Sequence, residues 1–326
     1  MMCKTTYIAS PLTNFQFAKD VAEGLITNPK YLNSKYFYDK NGDELFLKIM
    51  KLPEYYLTGS ELEILENNKE KFLQLMYSGE DFNLLDLGAG DALKTQVLLK
   101  YFVNQNVNFT YVPVDISQNA IQKVTDHLSK EIPRLKIKGF SEEYLQAIES
   151  LSDQKRKIIL FLGASIGNFS YSETINFLQQ ISSSIDKKDH LIIGFDLKKD
   201  PQVILEAYND KAGVTKDFNL NLLHRINREL GADFDVNFFE HYPNYNAENG
   251  EARSALVSTK KQLVEIPALE LSVRLKEGEH IHTEISRKYS LKEIQGLAEV
   301  TGFEIVENLM DSKKYFTDSI WRKINE

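Results

Sequence analysis

The stretch NLLDLGAGDALKTQVLL, residues 83–99, decides the fold. It opens with a short apolar run, turns through Gly88 and Gly90, and continues into a helical pattern with Leu93, Val97 and Leu98 at its apolar positions. A strand, a glycine turn and a helix N-terminus in that order form the usual seat of a nucleotide-like cofactor in an α/β sheet. There the bare backbone and the first helical N–H groups meet the ligand. In the dinucleotide fingerprint G-x-G-x-x-G the third glycine would fall at residue 93, where this chain has Leu93. That disfavours tight pyrophosphate packing, so S-adenosylmethionine fits better than NAD. An ordinary strand-to-helix turn that binds nothing stays open at this point.

Outward from this turn the pattern repeats. Residues 61–75 read as an amphipathic helix leading into the first strand at 83–87. YVPVDI (111–116) reads as a second strand ending on Asp115, and 117–128 as a helix with Ser117 as its N-cap. The continuous apolar run 158–162 suits a strand buried on both faces, 173–185 is helical, and LIIGFDL (191–197) is another buried strand. Strands alternating with helices predict a doubly wound, mostly parallel sheet. After residue 200 the texture changes. Residues 201–230 read as helix interrupted near Gly213, 234–245 are aromatic and irregular, and 252–258, 263–266 and 280–285 look like strands of an antiparallel insertion. A helix over 290–301, with Ser290 as N-cap and Gly302 beyond its end, returns the chain to the sheet. Segments 303–309 and 315–322 are expected to close that sheet as an antiparallel pair. The first sixty or so residues are expected to join the insertion.

The chain has 326 residues, enough for one large or two modest domains. A net charge of -8 argues against broad binding to nucleic acid or an anionic membrane, which needs a basic surface. The short basic runs 155–157 and 198–199 read as solvated strand ends. With Cys3 as the single cysteine, no intrachain disulfide and no cysteine metal cluster is available. No signal-peptide core and no run of membrane-spanning length is visible, so the cytoplasm is the expected location.

Four constellations carry chemistry. Asp115 at the end of the second strand suits the ribose hydroxyls of an adenosyl group, or it is only a helix N-terminal acid. FLGASIGN (161–168) is rich in small residues that let a ligand approach the backbone, with Asn168 offering a donor and an acceptor. HIHTEISRK (280–288) on a strand turns His280, His282, Glu284 and Ser286 one way. That pattern serves a metal, a polar substrate ring read by Glu284 and Ser286, or the wet face of an edge strand. YFYDKNGDELF (36–46) and LPEYYLT (52–58) are dense in tyrosine, which packs at interfaces and stabilises cations.

Together these segments resemble the histidine-specific Nα-methyltransferase family of ergothioneine biosynthesis. Further stretches carry the likeness: GFDLKKDP (194–201), AYNDKAGVTKDFNLNLLHRINRELGADFD (207–235) and GEHIHTEISRKYS (278–290). The resemblance implies a class I methyltransferase Rossmann-like fold with an inserted substrate-binding domain. The S-adenosylmethionine domain would span 60–200 plus 287–326, and the substrate domain 1–59 plus 201–286. It implies Nα-methylation of L-histidine, to its trimethylated betaine hercynine, by a monomeric enzyme with a small amino-acid substrate and no metal. Gly88, Lys94 and Asp115 would hold the cofactor. Tyr38, as the catalytic residue, and Tyr55 would lie by the amino group and the transferred methyl, with the adjacent Tyr56 as the alternative register. Asn168 and Tyr208 would grip the amino acid's carboxylate and amine. Gly163, Ser165 and Phe218 would line the cavity, and Glu284 and Ser286 would hydrogen-bond the imidazole.

Two departures matter. The family often contacts adenine with Asp-Phe, whereas the turn here reads Gly139-Phe140-Ser141, leaving Phe140 and Ser141 for the cofactor. Where the family tends to set a methionine against the substrate ring, this chain has Ser254. A smaller, polar residue widens the pocket and keeps another aromatic amino acid, such as tryptophan, tyrosine or a derivative, as the alternative substrate. A non-catalytic binding protein is the alternative of another class. Retention of Tyr38, Asp115, Asn168 and Glu284 argues against it.

Overall fold

The computed structural model describes residues 13–151 and 155–324; Cys3 and its neighbours lie outside them. The chain forms two compact units. The first comprises Met1–Tyr55 and Asp200–Ile285, the second Tyr56–Lys199 and Ser286–Glu326.

The second unit is built on a seven-stranded sheet. Its strands are β1 (Phe82–Leu87), β2 (Phe109–Val114), β3 (Lys136–Ile137), β4 (Arg156–Phe161), β5 (His190–Asp196), β6 (Phe303–Met310) and β7 (Phe316–Lys323). Their order across the sheet is β6-β7-β5-β4-β1-β2-β3. β1 pairs in parallel with β2 and β4, and β4 with β5, while β7 runs antiparallel to β5 and β6. The chain thus starts at the centre, moves outward to β3, then returns to β4 on the other side of β1. The strand order reverses there, the position where doubly wound sheets bind ligands beyond the carboxyl ends of their strands. All six residues of β1 and all seven of β5 are buried, as parallel strands covered on both faces must be. Each fully buried Leu, Ile or Phe there contributes about 1.5–3 kcal/mol of transfer free energy.

Helix boundaries follow their capping chemistry. Ser117 accepts the Ala120 N–H to start the helix Gln118–Glu131. Ser290 and Glu293 form a reciprocal capping box at the start of Leu291–Val300. The helix expected over 61–75 is longer, Tyr56–Met76. β2 ends at Val114, so Asp115 is the first residue past the strand.

The first unit has a four-stranded sheet, Lys30–Tyr31 beside His280–Arg287, then Glu251–Ser258 and Phe239–Asn246, with a separate hairpin of Gln262–Ile266 and Leu271–Leu275. One expectation is corrected and one open alternative is set aside. The aromatic segment expected to be irregular forms the regular strand Phe239–Asn246, paired along its length with Glu251–Ser258. The strand bearing HIHTEIS is internal, not an edge, because Lys30–Tyr31 pairs with it in parallel. Its core joins Phe37, Phe218, Leu222, Ile226, Leu256 and Ile281. Gly213, at φ +76, separates the helices Pro201–Ala207 and Val214–Leu230.

Candidate active site

In the second unit the glycine turn leaves β1 in a left-handed conformation, with Gly88 at φ +72 and Gly90 at φ +55. The Gly88 N–H donates to the Val114 carbonyl at 2.9 Å, tying the turn to the end of β2, where Asp115 follows. A Cβ built on Gly88 would lie 2.9 Å from the Tyr144 hydroxyl, so the turn is bare because a side chain does not fit. Asp86, buried in β1, accepts from Thr95 Oγ1 at 2.7 Å and Tyr111 Oη at 2.8 Å, clamping the following helix onto the strand. Burial raises its pKa despite these donors.

Asp115 is half-buried and accepts the Ser117 N–H at 2.8 Å; burial raises its carboxyl, and that bond opposes the shift. Phe140 lies alongside, its carbonyl accepting the Asp115 N–H at 3.2 Å. The Ser141 hydroxyl, at the surface, donates to the Ile116 carbonyl at 3.2 Å. Gly88, Asp115, Phe140 and Ser141 therefore converge. A bare left-handed turn next to a carboxylate one strand away is a donor and acceptor set that fits an adenosyl ligand.

Lys94 does not project alone. It forms an ion pair with Glu61, a carboxylate with no exposure, which also accepts the Gly163 N–H at 2.6 Å. Burial would lower the Lys94 pKa, but Glu61 outweighs it and the pKa is raised. Glu61 fits because residue 194 is glycine: a Cβ there would lie 2.4 Å from Glu61 Oε1. Asp318 on β7 is also fully buried; burial and the nearby Glu61 push its pKa well above the usual carboxylate range. Glu61 and Asp318 went unnoticed in the sequence, where a charged residue in an amphipathic helix or strand reads as surface.

The loop after β4 takes a left-handed turn at Gly163, φ +77, which glycine adopts freely, and is strained at Ala164, φ 56. Ser165 Oγ donates back to the Leu162 carbonyl at 3.0 Å, while Asn168 is exposed. Gly167 is needed for close approach: its Cβ would meet the Arg287 carbonyl at 2.7 Å.

A second ion cluster caps β5. Asp196, fully buried, pairs with Lys199 and with Lys288 Nζ at 2.7 Å, and accepts the Tyr56 hydroxyl at 2.8 Å. Burial would raise its carboxyl, but the two ammonium groups pull the pKa below the usual value. Burial drives the Lys199 pKa down to about 8, against the opposing pull of Asp196. The expectation that Lys198 and Lys199 are both solvated strand ends is corrected: the Lys199 side chain is 5% exposed and covers the Tyr56 ring at 4.2 Å. Lys288 also donates to Ser286 Oγ at 2.8 Å. The structure thus separates the two adjacent tyrosines, with Tyr56 engaged in the Asp196 cluster.

In the first unit Tyr38, 47% exposed, packs edge-on against Phe46 and Phe218, and Tyr55 packs against Phe46. Phe218 stacks on Phe37 at 4.5 Å, and Tyr208 is buried. Thr283 donates to Asn219 at 2.6 Å, while His280 on the opposite side meets Tyr242 and His282 by ring contacts. Glu284 is half-buried. Ser254 is buried and hydrogen-bonded to His241 at 3.2 Å; burial holds that imidazole neutral, its pKa lowered to about 4. Among the described residues no group of three or more His, Cys, Asp and Glu could hold a metal ion, and no helix is long and apolar enough to cross a membrane.

A family model described as histidine-specific methyltransferase, SAM-dependent, matches residues 17–323. A histidine N-alpha-methyltransferase from Mycolicibacterium smegmatis is 33% identical over 283 residues, 87% of this chain and 87% of that protein. The Mycobacterium tuberculosis protein of the same name is 34% identical over 271 residues, 83% and 84% of the two chains. Ergothioneine biosynthesis protein 1 of Neurospora crassa is 29% identical over 297 residues, 88% of this chain but 32% of that protein. The topology, the glycine turn and these similarities agree, and the chain belongs to the S-adenosylmethionine-dependent, histidine-specific methyltransferase family.

Proposed function

We propose that the protein methylates the α-amino nitrogen of L-histidine with S-adenosylmethionine, three times in succession, to give hercynine. The observation that carries this reading is the family match over residues 17–323. On this reading the second unit binds the cofactor and the first supplies side chains that recognise the amino acid.

S-adenosylmethionine supplies a methyl group made electrophilic by its sulfonium. The bare turn at Gly88 and Gly90, Asp115 and the backbone at Phe140 hold the adenosyl part. Lys94, fixed by Glu61, presents a positive charge beside them. The protein's task is then alignment, since holding the nucleophile in line is worth about 7–11 kcal/mol in well-oriented reactions. The amine attacks only when neutral. With a model α-amino pKa of about 8, its deprotonation near neutral pH costs little. Tyr38 orients the amine and relays its proton. Tyr55, rather than Tyr56, stands with it, because the Tyr56 hydroxyl is engaged with Asp196. Tyrosine faces stabilise the growing ammonium through cation–π attraction. Asn168 and Tyr208 hold the carboxylate and amine, Gly163, Ser165 and Phe218 bound the cavity, and Glu284 and Ser286 read the ring.

The pair formed by Ser254 and His241 favours a second reading, another aromatic amino acid as substrate, since a polar pair takes the place of a methionine. Mass spectrometry of products from S-adenosylmethionine and an equimolar mixture of the twenty amino acids decides between them. The expected result is a gain of three methyls on histidine alone; methylation of tryptophan or tyrosine instead would move the substrate and keep the mechanism.

A further inference from the structure

Tyr144 opens the helix Tyr144–Ser150, and its ring packs among aromatic neighbours of the second unit. It meets Phe161, the last residue of β4, edge-on at 5.8 Å and Phe177 at 6.2 Å, and those two rings lie 5.1 Å apart. This packing fixes the hydroxyl at the glycine turn, where it takes the space beside Gly88 that a Cβ would need, 2.9 Å away. The hydroxyl has no hydrogen-bond partner among the described residues. Burial, reinforced by the carboxylates of Asp115, Glu143 and Asp86, raises its pKa to about 12, so near neutral pH it keeps its proton and can donate. Neighbouring donors are spent within the protein. The Gly88 and Ala89 N–H groups both go to the Val114 carbonyl, the Asp115 N–H to the Phe140 carbonyl and the Phe140 N–H to the Pro113 carbonyl. The Ser141 hydroxyl goes to the Ile116 carbonyl.

We propose that Tyr144 is a further cofactor-binding residue, whose hydroxyl donates to a ribose hydroxyl oxygen of the adenosyl group while the Asp115 carboxylate accepts from the same ribose. This deepens the function proposed above and rests on its placing of the adenosyl group at Gly88 and Asp115. Ribose hydroxyls both give and accept. A carboxylate takes their protons but only accepts, so the lone pairs of the ribose oxygens need a donor from the protein. A phenol that keeps its proton supplies that donor without adding a second negative charge. The ribose is unchanged by methyl transfer, so the bond holds the cofactor equally well before and during the reaction.

The test measures affinity for S-adenosylhomocysteine and for its 2′-deoxy and 3′-deoxy forms by calorimetry. It uses the full-length wild-type protein, Tyr144→Phe and Asp115→Asn, with thermal melting as the check on folding. Tyr144→Phe should bind S-adenosylhomocysteine about tenfold more weakly than the wild type. For one of the two deoxy forms, the one lacking the accepting hydroxyl, the wild type and Tyr144→Phe should bind equally. KM for S-adenosylmethionine should rise by a similar factor, with kcat at saturation unchanged. The melting temperature should not fall, because the hydroxyl removed bonds nothing in the protein. Unchanged affinity for S-adenosylhomocysteine, or the same penalty on all three ligands, overturns the proposal. A Tyr144→Phe that melts well below the wild type, or does not fold, overturns it too, since the hydroxyl would then bond the protein. Asp115→Asn separates the two levels. If it binds S-adenosylhomocysteine as tightly as the wild type, the adenosyl group is not held at Asp115, and that reading falls together with this inference. If it binds weakly while Tyr144→Phe binds like the wild type, this inference falls alone.

Discussion

Two buried lysine–carboxylate clusters belong to the same sheet, and their charges are balanced in opposite senses. Around Lys94 there are three buried carboxylates, Glu61, Asp86 and Asp318. Around Asp196 there are two buried lysines, Lys199 and Lys288. In the acid-rich cluster the excess is met by weakened acids, with the pKa of Asp86 raised and that of Asp318 raised well above the usual carboxylate range. In the base-rich cluster it is met by a weakened lysine, Lys199 at about 8. The first cluster braces backbone, through the Glu61 bond to the Gly163 N–H and the Asp86 clamp on Thr95. The second supplies donors to side chains, Ser286 and Tyr56. A buried ion pair adds little net stability by itself, but breaking one side is costly. The two clusters should therefore respond differently when cut.

Glu61→Gln should have the largest effect. It leaves Lys94 without its counter-charge and should cost about 3–5 kcal/mol in urea unfolding, with S-adenosylmethionine affinity by calorimetry falling at least about tenfold. Gly194→Ala attacks the same cluster by volume and should cost about 1–3 kcal/mol, because its Cβ would meet both Glu61 and the Phe316 ring. Gly296→Ala is the control: nothing lies within 4 Å of its Cβ, and on the helix Leu291–Val300 it should stabilise by roughly 0.5–1 kcal/mol.

Asp318→Asn sharpens the comparison. The folded protein keeps a proton on Asp318 that the unfolded chain releases once the pH passes about 4, so wild-type stability is lost as pH rises above that value. The variant escapes this loss. Its unfolding free energy should exceed that of the wild type at pH 8, on the order of 1 kcal/mol, with no gain below pH 4. A variant no more stable than the wild type at pH 8 would show that the cluster does not hold that proton.

Lys199→Met should have the smallest effect, within about 1 kcal/mol at neutral pH, because Lys288 and Tyr56 still satisfy Asp196. Its signature is in the pH profile. The folded lysine releases its proton near 8 and the unfolded one near 10.5, so the wild type gains stability as pH rises through that window. The variant should lack that rise.

The sheet was legible in the sequence because buried parallel strands are continuous apolar runs, and the glycine turn because only a few residue types tolerate its backbone. Asp115, Ser117 and Ser290 were legible because capping and strand ends are local. Glu61, Lys199, Lys288 and Asp318 were not, since charged residues are rarely buried and the prior places them on the surface. For Glu61 the partner is also distant along the chain: it meets Lys94 33 positions on. The strand Phe239–Asn246 was missed because Pro243 and a run of mixed polar and aromatic residues obscure alternation, and the ladder to Glu251–Ser258 decides it instead. The parallel pairing of Lys30–Tyr31 with His280–Arg287 left no local trace at all.

The absent side chain at Gly194 has a consequence for descent. Glu61 occupies the space where a Cβ at 194 would lie, so neither position is free to drift without the other. A lineage that acquires alanine at 194 while keeping Glu61 carries the stability cost of the crowded cluster, and one that shortens residue 61 first passes through a protein whose Lys94 has lost its counter-charge. Mutational order is therefore constrained, and the two positions should vary together or not at all.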